Sequence, residues 1–430
     1  MTAKQERTHR NRQAPAVTWR GILAPIISKS VHLRHISRGK GTVPKPIRLA
    51  GKTFEASSTG STSTAERLES LTFLRFIAAV VVVIFHYGSG TSIYASLPTI
   101  LNCGPIMVTF FFVLSGFVLA ISNTKKNISI SQFYVNRIAR ILPIYLIALI
   151  AYVIISGNSF NGRFLISASL IQSWLPKYAT SLNYPGWSVS VEIFFYAICP
   201  LLILMADSKK NISLKAWFAS AVFFWFVSQV ILSHFSRTNS GPGTATHSLI
   251  NYFPPAHLCS FVLGFTAGLF FKSGFLRKVI GEKTSLVISV LLFAAIGKVI
   301  DYGPVIDNTT GVHAAYASSF TAILFTPAIY FCAIANNLLK KAALMPALVV
   351  LGESSYSLYI LQEPAHLAFQ MIPAQLTFES ATINFSVFVI LLIALSIASY
   401  FLIEKPCSKA IKEFYAKRIK PSSVHSKAVA

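Results

Sequence analysis

Residues 68–88 read LESLTFLRFIAAVVVVIFHYG. From Leu71 onward the stretch is apolar but for Thr72, Arg75 and His86, and as a helix it extends about 27 Å, close to the roughly 30 Å hydrocarbon thickness of a bilayer. An Arg and a His inside such a span are expensive in lipid and are kept for function or for pairing. Their separation of eleven residues corresponds to about 1,100° of helix rotation, only ~20° beyond three full turns, and to a rise of ~16 Å. Both side chains therefore lie on one stripe, near opposite ends of one span. Taken singly, an Arg at a span end snorkels and a buried His bonds a neighbour. The shared face raises a site to equal standing: a long ligand with its anionic head at Arg75 and its reactive end near His86.

The rest of the chain repeats the apolar pattern. Of 430 residues 53% are hydrophobic and 12% charged, and the mean hydropathy is +0.59; a soluble globular chain carries roughly 25% charged residues. Ten apolar segments stand near 71–88, 104–122, 138–156, 187–206, 215–234, 254–271, 284–301, 315–336, 348–371 and 383–403. No alternating ten-residue pattern suggests a β-barrel. The expected fold is all-α, a polytopic membrane protein of about ten transmembrane helices. Residues 162–176 are too short and polar to span and read as an interfacial or re-entrant stretch.

Net charge is +24, from 38 Lys and Arg against 14 Asp and Glu. The cations follow topology and do not call for nucleic acid. One set of alternate loops carries Lys125, Lys126, Arg137, Arg140, Lys209, Lys210, Lys215, Lys272, Arg277, Lys278, Lys283, Lys340 and Lys341; the opposite loops carry only Arg163, Lys177 and Arg237. Positive residues stay inside, so the rich loops and both termini are expected in the cytoplasm. Residues 1–68 form a basic tail expected to be disordered; their Arg-rich, acid-poor composition also fits a transit peptide, but the tail is the simpler reading. The transmembrane domain is assigned to 69–405 and a second basic cytoplasmic tail to 406–430.

Two further groups carry chemistry. Arg137 and Arg140 share a helix face at the start of the third span, a natural fork for phosphates, with ordinary topogenic charge as the commoner alternative. The fourth span opens NYPGWSVSVEIFFYAICP, with Glu192 in its first turns; that carboxylate suits an acid/base role, orientation of an imidazole, or a salt bridge. Lys298 is close enough to a span end to snorkel. The five cysteines are scattered singly, and neither they nor any HExxH pattern suggests a metal. No Walker A or G-x-G-x-x-G motif occurs.

Read together, these stretches resemble the acyltransferase 3 family of integral membrane O-acyltransferases. The resemblance covers roughly 68–412. It rests on the R-x10-H pair Arg75/His86, FFFVLSGF (Phe110 to Phe117), the R-x-x-R of Arg137 and Arg140, WSVSVEIFFY (Trp187 to Tyr196), LGESSYSLYILQEP (Leu351 to Pro364) and Glu404-Lys405-Pro406. The family implies transfer of an acyl group, expected to be acetyl, from an acyl-CoA such as acetyl-CoA to a hydroxyl of a carbohydrate or glycolipid, at the bacterial inner membrane and without a metal. Carried over, His86, Arg75 and Glu192 are the expected catalytic residues. Arg75, Arg137 and Arg140 would hold the donor, and Trp187, Ser190 and Tyr196 would contact substrate. The chain departs at Thr109, where many members have Asp, and at Gln362, where many have His; His366, one turn further on, is the nearby imidazole. The competing function is transport or flipping of a glycan precursor without chemistry, against which the halves show no inverted-repeat similarity.

Overall fold

In lipid a backbone must satisfy its own polar groups, so each apolar segment is forced into helix. A computed structural model of the chain describes residues 68–101, 103–124, 129–208, 212–237, 241–310, 319–343 and 346–419. The N-terminal tail, apart from Leu68, lies outside the described residues, as do Lys125, Lys126, Lys209 and Lys210 of the basic loops. The principal helices are α1 (Glu69–Tyr87), α2 (Gly104–Asn123), α3 (Ile130–Ile155), α4 (Gly186–Ala206), α5 (Leu214–Ser236), α6 (Leu258–Ser273), α7 (Glu282–Asp301), α8 (Ala322–Ile334), α9 (Pro346–Glu353), α10 (Ser355–Gln370), α11 (Ala381–Ser399) and α12 (Lys405–Ile419). Ser129 and Ser213 cap α3 and α5, their side chains accepting from Gln132 and Ala216 N–H, which satisfies donors the first turn leaves open.

All ten expected segments contain helix. Among the described residues, eight helical stretches are long and apolar enough to cross a membrane in one piece, including Ala245–Ser273 and the long rod Ala381–Arg418. Two segments differ from a simple span. The eighth is the shorter apolar stretch Ser319–Ile334, and the ninth is broken at Ser354 between α9 and α10. The eleventh helix runs through a π-turn, Tyr400–Glu404, into α12, so residues expected to be tail begin as helix up to Ile419. The 162–176 stretch folds as a short helix, Gly162–Ala168, and a 3-10 turn, Gln172–Trp174. Gln172 is buried, its amide donating to the Gly186 carbonyl (2.8 Å) and to Tyr145 Oη (3.1 Å).

Helix α2 is the hub: 72% of its apolar window is buried, against 28% for α5 and 17% for α7, which face outward. Glycines set its distance from α6. A Cβ on Gly264 would stand 1.9 Å from the Val113 carbonyl oxygen, one on Gly116 2.1 Å from that of Phe261, and one on Gly268 2.6 Å from that of Phe117. Backbones approach this closely only where side chains are missing, the small-xxx-small device of membrane helices. The residue numbers rise together along this contact, so α2 and α6 run parallel. Their C-terminal ends meet where Lys272 Nζ donates to the Thr124 carbonyl. Ser70 Oγ bonds Asn336 (2.8 Å), and Asn337 bonds Glu282 (2.8 Å). These contacts collect the start of α1, the end of α8 and the start of α7 at one basic end of the bundle.

Candidate active site

Three cavities follow one another from the basic end to the opposite end. The first and largest, about 620 Å³, opens beside Leu68 and Lys412 and reaches Arg75, Arg137, Arg140 and Glu404. The second, about 100 Å³, shares those three arginines and adds Glu192, Tyr196 and Ser188. The third, about 160 Å³, is lined by His86, Trp187, Tyr184 and His257. Val108, Phe112 and Tyr359 wall both the second and the third, so they form the neck between them. Arg75 and His86 thus reach one succession of spaces, as their common stripe on α1 requires.

The arginines are uncommitted. Arg75, Arg137 and Arg140 make no hydrogen bond or salt bridge to another described residue. Arg137 rests its guanidinium over the Phe133 ring at 5.8 Å, and its Nε is buried without a partner. The carboxylates on these cavities are engaged by hydroxyls. Glu192 accepts from Tyr196 Oη (2.5 Å) and Ser115 Oγ (3.5 Å), Glu404 from Ser357 Oγ (3.0 Å), and Glu353 from Tyr400. Glu404 is buried at the π-turn; such turns frequently mark functional positions. Three half-buried guanidiniums, with the Glu192 and Glu404 carboxylates near enough to attract Arg75 but bonded to none of them, make a receptor for a polyanion.

His86 is held in one tautomer. Its Nδ1 stands 3.1 Å from Gln362 Oε1, and Gln362 Nε2 stands 2.7 Å from the Tyr359 carbonyl. A carbonyl only accepts, so the amide nitrogen faces Tyr359 and the amide oxygen faces the imidazole. That oxygen also only accepts. The ring proton therefore sits on Nδ1, and Nε2 carries a lone pair with no partner among the described residues. Gln362 is fully buried and orients the His86 ring as a carboxylate or backbone carbonyl bonded to Nδ1–H orients other imidazoles. His366 does not take that role. It stacks on Tyr87 at 4.1 Å and meets Phe388 edge-on at 5.2 Å, and it lines none of the three cavities.

On α4 the face is decided by rotation. Ser188, Glu192 and Tyr196, at i, i+4 and i+8, span only ~80° of the helix and point into the second cavity; Ser190 lies about 200° away from Ser188. Ser190 is 1% exposed, donates to the Leu170 carbonyl at 2.6 Å, and lines none of the three cavities. Of the two serines it is Ser188, bonded to Tyr359 Oη at 2.8 Å, that lines the second cavity, and Ser190, the expected substrate contact, points away from it. A count of four-residue steps from Glu192 would have found Ser188. Trp187 turns into the third cavity, edge-on to Tyr252 (5.1 Å) and tilted against His257 (5.5 Å). The turn ahead of α4 is pinned to α10. Asn183, at φ +32°, donates to the Ile360 carbonyl at 3.2 Å, and the Tyr184 N–H donates to Glu363. That fixes the Tyr184 ring edge-on to His86 at 5.3 Å. Tyr184 stands in the NYPG stretch, Tyr359 in the LGESSYSLYILQEP stretch and His257 near a span end, but nothing in the sequence sets the three in one site, because they come from segments that meet only in the folded bundle. Lys298 points outward and pairs with Asp301 at 3.4 Å. No group of three His, Cys, Asp or Glu side chains suited to a metal ion occurs among the described residues.

Residues 68–404 match the profile of the acyltransferase 3 family, described as an acyltransferase domain. The chain is 32% identical over 318 residues to the acyltransferase MdmB of Streptomyces mycarofaciens, covering 68% of this chain and 78% of that protein. It is 25% identical over 158 residues to the peptidoglycan O-acetyltransferase OatA of Listeria monocytogenes, covering 32% of this chain and 24% of that one. An uncharacterised protein of Haemophilus influenzae matches at 30% over 139 residues, 27% of this chain and 56% of its own. No solved structure matches. With a bundle of apolar helices around a line of cavities from unpaired arginines to a bare imidazole nitrogen, and with the family profile matched across nearly all of that bundle, the chain belongs to the acyltransferase 3 family of integral membrane O-acyltransferases.

Proposed function

We propose that the protein moves an acetyl group from acetyl-CoA, bound from the cytoplasmic side, to a hydroxyl of a carbohydrate or glycolipid acceptor that enters from the opposite side of the bacterial inner membrane. The observation that carries this reading is the row of three cavities joining the unpaired Arg75, Arg137 and Arg140 to Nε2 of His86. Their sizes sort the donor. The nucleotide phosphates stay in the wide basic vestibule, and only a thin pantetheine arm continues past Arg75. The ~16 Å rise between Arg75 and His86 is the path that arm follows. The basic end is cytoplasmic by the distribution of positive charge. A carbohydrate acceptor is supported by OatA, whose name states a peptidoglycan substrate.

In the chemical step, His86 Nε2 takes the proton of the acceptor hydroxyl as its oxygen attacks the thioester carbonyl carbon. The tetrahedral intermediate collapses, the C–S bond breaks, and the departing thiolate takes the proton back from Nε2. The products are the O-acyl ester and free CoA-SH. Gln362 holds the Nδ1 proton in place throughout and stabilises the imidazolium by accepting from it. Glu192, with Tyr196 and Ser115, shapes the throat beside Arg75 through which the thioester passes. Attack by Nε2 itself to form an acyl-histidine uses the same lone pair, and a rapid-quench search for acetylated His86 separates the two routes. The overall test uses membranes with radiolabelled acetyl-CoA and a glycan acceptor. Label transfer is expected in wild type and lost in His86→Ala; transfer undiminished in that variant removes His86 from the mechanism.

A further inference from the structure

The third cavity holds a second bare imidazole nitrogen. His257 ends the 3-10 turn Pro254–His257 and precedes α6. Its Nε2 lies 3.0 Å from the Asn251 carbonyl. Since a carbonyl only accepts, Nε2 carries the proton and Nδ1 keeps its lone pair. The residue is 2% exposed, lines the third cavity, and its Nδ1 has no partner. The ring is clamped at 5.1 Å from Phe112 and 5.5 Å from Trp187, so it cannot turn that nitrogen toward another polar group without breaking the Asn251 bond. Buried acceptors are nearly always paired, and one left empty beside a cavity calls for a donor from whatever fills the cavity.

His86 and His257 are thus fixed in opposite tautomers by unrelated partners, Gln362 and the Asn251 carbonyl, yet both rings line one chamber and each keeps an unprotonated nitrogen. Around them stand the rings of Trp187, Tyr184 and Tyr252, the last two joined through their hydroxyls at 3.0 Å. A chamber of aromatic faces with two bare imidazole nitrogens, lined also by the polar Thr109, His247 and Asn251, matches a flat-sided molecule carrying more than one hydroxyl.

We propose that His257 Nδ1 accepts a hydrogen bond from a second hydroxyl of the acceptor while His86 Nε2 faces the one to be acylated, so that the enzyme selects polyhydroxylated rings over isolated alcohols. This rests on the reading of the third cavity as the acceptor site and adds to it a residue that determines specificity.

The test uses the full chain purified in detergent, acetyl-CoA as donor, and octyl glycosides of gluco, galacto and manno configuration with their monodeoxy analogues. In wild type, loss of one hydroxyl other than the acetylated one is expected to lower kcat/KM about 10- to 100-fold. In His257→Phe the parent glycoside falls to the level of that deoxy analogue, and the analogue falls no further. His257→Gln, whose Oε1 is an acceptor, restores part of the discrimination. The ratio between two acceptors on the same enzyme sample does not depend on how much of it is folded, so a merely structural role for His257 leaves the ratio unmoved. An unchanged deoxy penalty in His257→Phe overturns the proposal, as does acetylation of octanol as efficient as that of any glycoside. Transfer to octanol alone overturns it but leaves the acyltransferase reading standing. Absence of His86-dependent transfer to every acceptor overturns both.

Discussion

Replacing Gln362 by Leu removes the one acceptor that holds the Nδ1 proton of His86. Gln362 is fully buried, at 3.1 Å from Nδ1 on one side and 2.7 Å from the Tyr359 carbonyl on the other. Leu matches its bulk without either bond. The Nδ1–H is then left in an apolar pocket, and a buried unsatisfied donor costs about 1–3 kcal/mol. Imidazole escapes that cost by moving its proton to Nε2, which has no partner among the described residues and can bond water or substrate. The enzyme then populates a tautomer that cannot act as base. A bias of 1–3 kcal/mol corresponds to a fall in kcat of roughly 5- to 150-fold. The KM for donor should hardly move, because Gln362 touches no part of the arginine vestibule. Gln362→Glu keeps an acceptor at the same place, so its kcat should exceed that of Gln362→Leu. Steady-state kinetics for both substrates give the split, and ¹⁵N NMR of histidine-labelled protein reads the tautomer directly. Wild-type kcat in Gln362→Leu, with the variant folded, would refute the tautomer argument and with it the role given to Nε2.

Other outcomes follow from the same geometry. Arg137→Ala and Arg140→Ala should each raise the KM for acetyl-CoA by about tenfold or more, with a smaller change in kcat, since each removes one charge-assisted contact worth ~1.5–3 kcal/mol; donor titrations check this, and an effect confined to acceptor KM contradicts it. Ser190→Ala should keep both KM values near wild type while lowering stability by about 1 kcal/mol through the lost bond to the Leu170 carbonyl, whereas Ser188→Ala alters kinetics; thermal melts in detergent beside turnover numbers distinguish them. Gly264→Leu should abolish the folded protein, because even a Cβ would meet the Val113 carbonyl oxygen at 1.9 Å and α2 and α6 would have to separate; survival of a monodisperse, active variant would count against the helix packing described above.

Much of this molecule is local information. A bilayer demands an unbroken apolar length, so the spans stand out one segment at a time, and the asymmetry of Lys and Arg orders the loops. The expected ten segments all hold helix, although the ninth breaks at Ser354 and the eighth is short, because buried breaks cost little where neighbouring helices and cavity walls receive the freed backbone groups. The same limit explains the C-terminal end: nothing in the charge of residues 405–419 distinguishes a solvated tail from a helix that continues α11 past the membrane.

The candidate site divides in the same way. Arg75 and His86 could be placed on one stripe before any coordinates, because both belong to one helix and 3.6 residues per turn sets their relative direction. The partner of His86 could not. Gln362 lies 276 positions away, and which of Gln362 and His366 meets the imidazole depends on the rotation of α10 against α1, which neither helix specifies alone. Ser188 lines a cavity where Ser190 does not, and His257 joins the chamber at all, only because glycine contacts draw α2 against α6 and the turn ahead of α4 is pinned to α10. Chain-local spacing decides which residues share a face; contacts between helices far apart in sequence decide what each face meets, and hence which nitrogen of each imidazole is left bare.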